Sequence, residues 1–534
     1  MPGPHARSRS GVVCAFLAAL VAPAAATATT APWTTTARGP APAVSQLAVA
    51  EEAIVALEAG AEAEALVRAA GGRRVSPELR LWALPGRDAM RLVPRLERLG
   101  ALRHAEPAAR RRSTLRLSDP FATPELGYHL YAVAAHAAEP PAAGFPLTIL
   151  DSGIDVANPD FAGRPDVIQL NTQRVAGTTG SEYHGTSVAA VAAAATNGIG
   201  TEGVYPQVSI RSYDLGVNVS DPEIIRGIRA AVAAGPSVIN LSVGGPFATN
   251  SLYEAALWAL GNGSLVVAAA GNDLLGRNRR FYPASYPHVL TVGSVGRLGE
   301  PSAFSTSNEF VDLAAPGEAL AVALPDGTQT LVTGTSFASP AVAAAAAWVR
   351  TVRGPMQPTQ LADLMRQSAR DVAEPGFDQR TGFGMLDIPA ALARPMPTVD
   401  PQEPNDDVYQ VVPNGLFEEG KRLVSARFRA RLDVNEDPDD VYRVQVGARQ
   451  RLSIAITPED DVRLALLDPG TRTIENAAAP LALADRPGKA VERVDYVNRA
   501  RRPVVLFLHV TSGEAGTGPS RAYSVSLSRT PVRR

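Results

Sequence analysis

The spacing of apolar residues changes character twice along this 534-residue chain. Between about Val49 and Pro107, extended and helical patterns take turns. Ala53–Leu57, Leu79–Leu84 and Leu102–Pro107 read as strands. Glu62–Ala70 and Asp88–Leu99 read as helices, the second interrupted by Pro94. With one further strand this becomes the β-α-β-β-α-β order of a small ferredoxin-like α+β domain. From Asp119 to Arg394, apolar runs at Leu147–Leu150, Ile210–Tyr213, Val238–Leu241, Leu265–Ala269 and Val289–Val292 alternate with helical stretches such as Thr186–Ala195, Glu223–Ala234 and Asn250–Gly261. That alternation predicts an α/β fold, a parallel sheet with helices on both faces. Functional groups then collect at the carboxyl ends of strands. Beyond a Pro-rich linker at 395–402 the period becomes two. Val424–Leu432, Asp440–Val446, Leu452–Ile456, Val462–Leu467, Val504–Val510 and Tyr523–Leu527 predict an antiparallel β-sandwich over 403–534.

Charge and cysteine change this picture at the ends. Lys+Arg 51 nearly balance Asp+Glu 53, for a net charge of −2, which argues against nucleic acid or an anionic membrane as the main partner. The single cysteine, Cys14, excludes an intrachain disulfide. It lies in the apolar run Val12–Val21, after Arg7 and Arg9 and before Ala24-Ala25-Ala26-Thr27-Ala28. This is the layout of a secretory signal over residues 1–28, followed by a disordered spacer at 29–46. A lipid anchor on Cys14 is the rival, disfavoured by the bulk of Val13. No later run is long and apolar enough to span a bilayer. The basic run Arg110–Arg116 reads as a cleavage zone or as a solvated joint.

Candidate chemistry starts at Ser336. Extended residues lead into Gly334-Thr335-Ser336, and an Ala-rich run from Ala341 to Val349 follows as a helix. Pro340 is expected in the first turn, where N–H groups have no intrahelical partner. A Ser there is commonly an N-cap. The same place also offers free N–H groups and the positive end of a helix dipole to a developing oxyanion. Upstream, an apolar strand ends in Asp151, and His184 opens a small-residue helix. The order Asp, His, Ser is one of the known arrangements of a serine-hydrolase triad.

With these segments the chain resembles the subtilisin-like (subtilase) serine peptidases. The matching motifs are Asp151-Ser152-Gly153-Ile154, His184-Gly185-Thr186 and Gly334-Thr335-Ser336-Phe337-Ala338-Ser339-Pro340. Between them stand Asn240-Leu241-Ser242-Val243-Gly244-Gly245 and Ala268-Ala269-Ala270-Gly271-Asn272. The resemblance covers about half of the chain and implies a catalytic domain over 117–394. It also implies a secreted serine endopeptidase with polypeptide substrates. Ser336 is the nucleophile, His184 the base and Asp151 its orienting partner. Asn272 and the Ser336 N–H form the oxyanion hole, and Ser242, Val243 and Gly244 pair with the substrate. No acidic residue marks a pocket for Lys or Arg, so an apolar or mixed preference is expected, and Tyr282-Pro283-Ala284 resembles a family turn with a cis proline. Ser187, Ala190 and Phe337 stand where the family often has His, Gly and Met.

Residues 47–116 resemble an inhibitory propeptide, and self-processing from a zymogen follows. Residues 403–534 resemble the pre-peptidase C-terminal domain of secreted bacterial peptidases, through Glu403-Pro404-Asn405-Asp406-Asp407, Asp439–Val444 and Tyr523–Leu527. Structural calcium on Asp160 and Asn197 is implied by their spacing in the family, against the alternative of ordinary loop residues. No cofactor is required for the chemistry. The acidic turns at Asp406-Asp407 and Asp437–Asp440 suit either calcium or solvation, and solvation is expected. A monomer is expected. A catalytically dead binding protein and an ester hydrolase of another fold are the competing readings.

Overall fold

The structure, a computed structural model, describes residues 52–107 except 59 and 78, 119–173, 183–412 except 399 and 401, 415–416 (save 413–414 between), 425–513 except 434, and 520–532. The expected signal segment, the spacer and the basic run at Arg110–Arg116 lie outside the described residues. The chain divides into two compact units, Met1–Thr114 and Leu115–Arg534.

The first unit runs β1 (Glu52–Leu57), α1 (Ala61–Ala69), β2 (Arg73–Ser76), β3 (Leu81–Pro85), α2 (Gly86–Arg98) and β4 (Leu102–Pro107). Its strands form an antiparallel sheet in the order β2-β3-β1-β4. Val55, Leu57, Trp82 and Leu84 pack with Val67, Leu92 and Leu96 into its own core. The strand missing from the apolar pattern is β2. It is an edge strand with Arg73, Arg74 and Val75 exposed, so burial leaves no mark on its sequence. Pro94 lies within α2 on its exposed side, where the carbonyl it frees can meet water.

The second unit opens with α3 (Tyr128–Ala132), β5 (Leu147–Asp151), β6 (Val167–Gln169), α4 (His184–Ala193), β7 (Ile210–Asp214), α5 (Asp221–Ala233), β8 (Val238–Leu241), α6 (Asn250–Gly261), β9 (Leu265–Ala269), β10 (Leu290–Val295) and β11 (Leu313–Pro316). A hairpin, β12 (Leu320–Ala323) with β13 (Gln329–Val332), leads to α7 (Thr335–Arg353), α8 (Pro358–Ser368) and α9 (Ile388–Ala393). The seven-stranded sheet is parallel, in the order β11-β10-β9-β8-β5-β7-β6. Leu147 and Ile149 of β5 join one core with α4 and α7, while Leu150 joins another with α5 and α6. Burial on both faces is what makes its strands continuous apolar runs. In α7, Ala341 and Ala343–Ala347 are wholly buried, and their small side chains let the helix lie close to the sheet.

The same unit ends in β14 (Ser425–Asp433), β15 (Asp439–Val446), β16 (Gln450–Pro458), β17 (Val462–Leu467), β18 (Ala482–Ala484), β19 (Glu492–Val497), β20 (Val504–Ser512) and β21 (Ser520–Pro531). They form two antiparallel sheets, β14-β21-β16-β19 and β15-β20-β17-β18, that share one core. Along β21, Tyr523, Val525 and Leu527 point inward, with Ser524 and Ser526 between them partly exposed.

The junction between these sheets and the α/β layer is polar. Arg366 of α8 is buried and binds Asp312, Asp363 and Glu436, and Arg431 reaches Asp363. His288 Nε2 lies 2.7 Å from Asp406 Oδ1. The expectation of solvated acidic turns is therefore corrected. Asp406 is covered by His288, and buried Asp440 is held by Asn405 and Tyr523. A local run of acids shows a turn but not the neighbour that lies over it.

Candidate active site

The three candidate residues each stand at the end of an element. Asp151 is the last residue of β5, His184 the first of α4, and Ser336 the second of α7. The Asp151 Oδ1 atom accepts from the Ser152 N–H at 2.8 Å and lies 2.8 Å from His184 Nδ1. A carboxylate only accepts, so Nδ1 carries the proton and Nε2 is left free to take one. Burial lowers the pKa of His184, but the Asp151 charge and hydrogen bond raise it by more, and the net shift is upward. Gly185 is needed for the approach: a Cβ there would meet the Gly153 carbonyl oxygen at 2.4 Å and Asp151 Cβ at 3.1 Å.

The Ser336 segment is tied to the end of β8. The Ser336 hydroxyl donates to the Ser242 carbonyl at 3.2 Å, and the Ser242 hydroxyl donates back to the Ser336 carbonyl at 2.7 Å. Asn240 fixes Ser242 by its amide and accepts from Ser339 Oγ. Pro340 stands inside α7, in its second turn, which corrects the first-turn expectation. Its missing N–H would have bonded the Ser336 carbonyl four residues back. Ser242 Oγ supplies that bond instead. Among the described residues no hydrogen bond joins Ser336 to His184. Phe337 packs on the imidazole, with ring centroids 5.4 Å apart. Ser187 is buried with its hydroxyl on the Tyr183 carbonyl.

Asn272 follows β9. Its Oδ1 accepts from both the N–H and the hydroxyl of Thr335, each at 3.0 Å, and this turns its amide toward Gly334. A Cβ on Gly334 would lie 3.2 Å from Asn272 Nδ2 and 3.8 Å from the Ser336 nitrogen. The absent side chain thus leaves open the space between two donors, the arrangement that suits a developing oxyanion. Ser242, Val243, Gly244, Asn272 and Ser336 all line one cleft of 620 Å³. The Tyr282–Pro283 bond is cis.

The two residues singled out for calcium lie in neighbouring loops. The Asn197 amide donates to the Pro159 carbonyl, and its oxygen accepts from the Ile199 N–H. Asp160 is fully buried, its Oδ1 has no hydrogen-bond partner, and burial pushes its pKa up to about 7. A third residue went unnoticed in the sequence. Asp119 is buried, accepts from the N–H groups of Asn197 and Gly198, and has its pKa pushed up to about 6 by burial. Only a long-range contact brings it there, so no local spacing could reveal it. A second acidic group, Asp400, Glu403 and Asp437, brings one carboxylate oxygen from each within 4.8 Å of the others. Both oxygens of Glu403 are buried without a hydrogen-bond partner.

A sequence profile of the subtilase family matches residues 142–384. Subtilisin from Bacillus pumilus is 32% identical over 250 residues, 46% of this chain and 90% of that protein. The major intracellular serine protease of Bacillus subtilis (strain 168) is 38% identical over 216 residues, 38% of this chain and 68% of that protein. Subtilisin E, from the same strain, is 32% identical over 250 residues, and the match spans 46% of this chain and 65% of that protein. The chain belongs to the subtilase family.

Proposed function

We propose that this protein is a secreted serine endopeptidase that cleaves peptide bonds through an acyl-enzyme. The observation that carries the reading is the Asp151–His184 pair packed against Phe337, the residue after Ser336, with Ser336 and Asn272 lining one cleft. Rotation of the Ser336 hydroxyl off the Ser242 carbonyl lets it give its proton to His184 Nε2 as Oγ attacks the scissile carbonyl. The imidazolium then returns that proton to the leaving amine, while Asp151 holds the ring and balances its charge. The Asn272 amide and the Ser336 N–H face the oxyanion. The test is labelling of Ser336 by a fluorophosphonate together with hydrolysis of casein. Labelling without casein hydrolysis favours an ester hydrolase, and no labelling favours a dead homologue.

The domain reading is part of this proposal: a signal at 1–28, a spacer at 29–46, an inhibitory ferredoxin-like propeptide at 47–116, the catalytic domain at 117–394, and, after the 395–402 linker, a β-sandwich at 403–534. Support comes from the strand order of the first unit and its separate core. Among the described residues no helix is long and apolar enough to cross a membrane.

Structural calcium fits Asp160, Asp119 and Asn197, since an orphaned, buried carboxylate oxygen suits a hard cation. The ion would stabilise the fold and take no part in the chemistry. The Asp400, Glu403 and Asp437 group has the same donor chemistry. Chelation is expected to lower the Tm while leaving the initial rate at room temperature nearly unchanged. Repeating the melt with Asp160→Asn and Glu403→Gln assigns the effect to one group or the other.

A further inference from the structure

The cleft beside Ser336 has two walls. One is Ser242–Gly244, continuing from β8, and the other is Ala269–Asn272, continuing from β9. The residue whose carbonyl is attacked has its carbonyl oxygen at Asn272 and its backbone along Ser242–Gly244. Its side chain must therefore enter the slot between these walls. In this chain the slot already holds an aromatic ring. A Cβ built on Gly271 would fall 2.7 Å from Phe281 Cγ and 2.9 and 3.1 Å from its two Cδ atoms. A Cβ built on Gly244, on the opposite wall, would be 3.6 Å from Phe281 Cδ1. The ring is thus in contact with the backbone of one wall and one van der Waals layer from the other. Its backbone is anchored as well, because the next residue, Tyr282, exchanges two hydrogen bonds with Gly245 at 3.0 and 2.8 Å. Asp273, next to Asn272, is bound by Arg279 through its guanidinium and N–H, so it is not a free carboxylate for a basic side chain.

We propose that Phe281 fills this slot and restricts cleavage to peptide bonds that follow a small residue, Ala, Ser or Gly. The proposal rests on the peptidase reading and names its substrate class. A methyl or hydroxymethyl group can rest on the ring. A benzyl or isobutyl group needs the space between Gly244 and Gly271 that the ring occupies, since the 620 Å³ cleft has Phe281 as part of its wall and is lined elsewhere by Val217, Val219 and Phe247. A single methylene changes selectivity in an apolar pocket by roughly 10–200-fold, so a whole ring sets a preference well beyond measurement error. At the other positions of the substrate, backbone pairing reads main chain rather than side chains.

The test uses the active protein produced from the full chain and four peptides identical except for Ala, Ser, Leu or Phe before the scissile bond, with cleavage sites read by mass spectrometry. The expected result is a kcat/KM at least tenfold higher for Ala and Ser than for Phe. Phe281→Gly is expected to move the Phe-to-Ala ratio upward by at least tenfold. Phe281→Ala, which keeps a Cβ, is expected to do so in part and serves if the glycine variant fails to fold. A wild-type enzyme that cleaves after Phe as well as after Ala overturns the proposal and leaves the peptidase reading intact. So does an unmoved ratio in a variant whose Ser336 still takes a fluorophosphonate. Cleavage of none of the peptides, with casein also left intact, overturns the peptidase reading and this proposal with it.

Discussion

Two of the histidine–carboxylate pairs in the second unit are nearly the same length. His184 meets Asp151 at 2.8 Å, and His288 meets Asp406 at 2.7 Å. What separates them is the nitrogen used and what lies beyond it. His184 binds its carboxylate through Nδ1 and keeps Nε2 for the cleft, with the ring 27% exposed. His288 uses Nε2, its ring is 6% exposed, and its next charged neighbour is Glu403 at 3.6 Å. The first pair packs against Phe337, the residue after Ser336. The second faces more acid. The pair itself is an electrostatic unit that a fold uses for either purpose, and catalytic competence comes from access and neighbours.

Substitutions can break this contrast, and the largest effect is expected at Ser336. Ser336→Ala is expected to lower kcat by about 10⁶, the loss seen when the nucleophile of subtilisin is removed. It is also expected to leave the chain at its unprocessed mass in a protease-deficient host, as intact mass spectrometry would show. Asp151→Asn is expected to cost about 10⁴ in kcat, because the wrong imidazole tautomer is then held in place. Asn272→Ala removes one oxyanion donor, with an expected loss of about 10²–10³ in kcat, a magnitude measured on subtilisin, and little change in KM.

A pH profile sharpens the same comparison. Hydrolysis needs neutral His184, so the rate falls as pH drops through the folded pKa, which lies above the ordinary 6.5. Asp151→Asn leaves burial to act alone, and burial favours the neutral ring. The acid limb, or the ring's NMR titration in Ser336→Ala, is then expected to move below 6.5. The smallest effect on rate is expected for His288→Ala. Peptide kcat/KM should stay within about twofold, a difference of roughly 0.4 kcal/mol. Stability should fall by about 1–3 kcal/mol, since Asp406 is left buried without its hydrogen-bond partner. A denaturant melt beside the kinetic assay separates the two.

The sequence revealed most of what local pattern can carry. Val238–Leu241, Leu265–Ala269, Asn250–Gly261 and Val462–Leu467 form as their apolar spacing predicts. β6 and β11 escaped, being three- and four-residue strands at the edges of the sheet, and so did β18 and β19. The site's motifs were legible because each residue's local setting, a strand end or a helix start, is written within a few positions. The geometry brings Asp151 and His184 together and sets Asn272 beside Thr335. Asp119, the covering of Asp406 by His288 and the seat of Phe281 against Gly271 were not legible. Each depends on segments far apart in the chain, whose proximity only packing creates.

The burial of α7 has a consequence for how the protein responds to its medium. Its nineteen residues point their amino end at Ser336, and Phe337–Val349 are buried throughout. Dissolved ions screen charges across water, over about 8 Å at physiological ionic strength, but they do not enter a packed core. The helix's favourable field at the oxyanion therefore reaches the reacting atoms through protein alone. Added salt has little purchase on it, and kcat should be nearly flat as ionic strength rises. Any salt dependence should enter through KM, where a charged peptide first approaches the exposed rim.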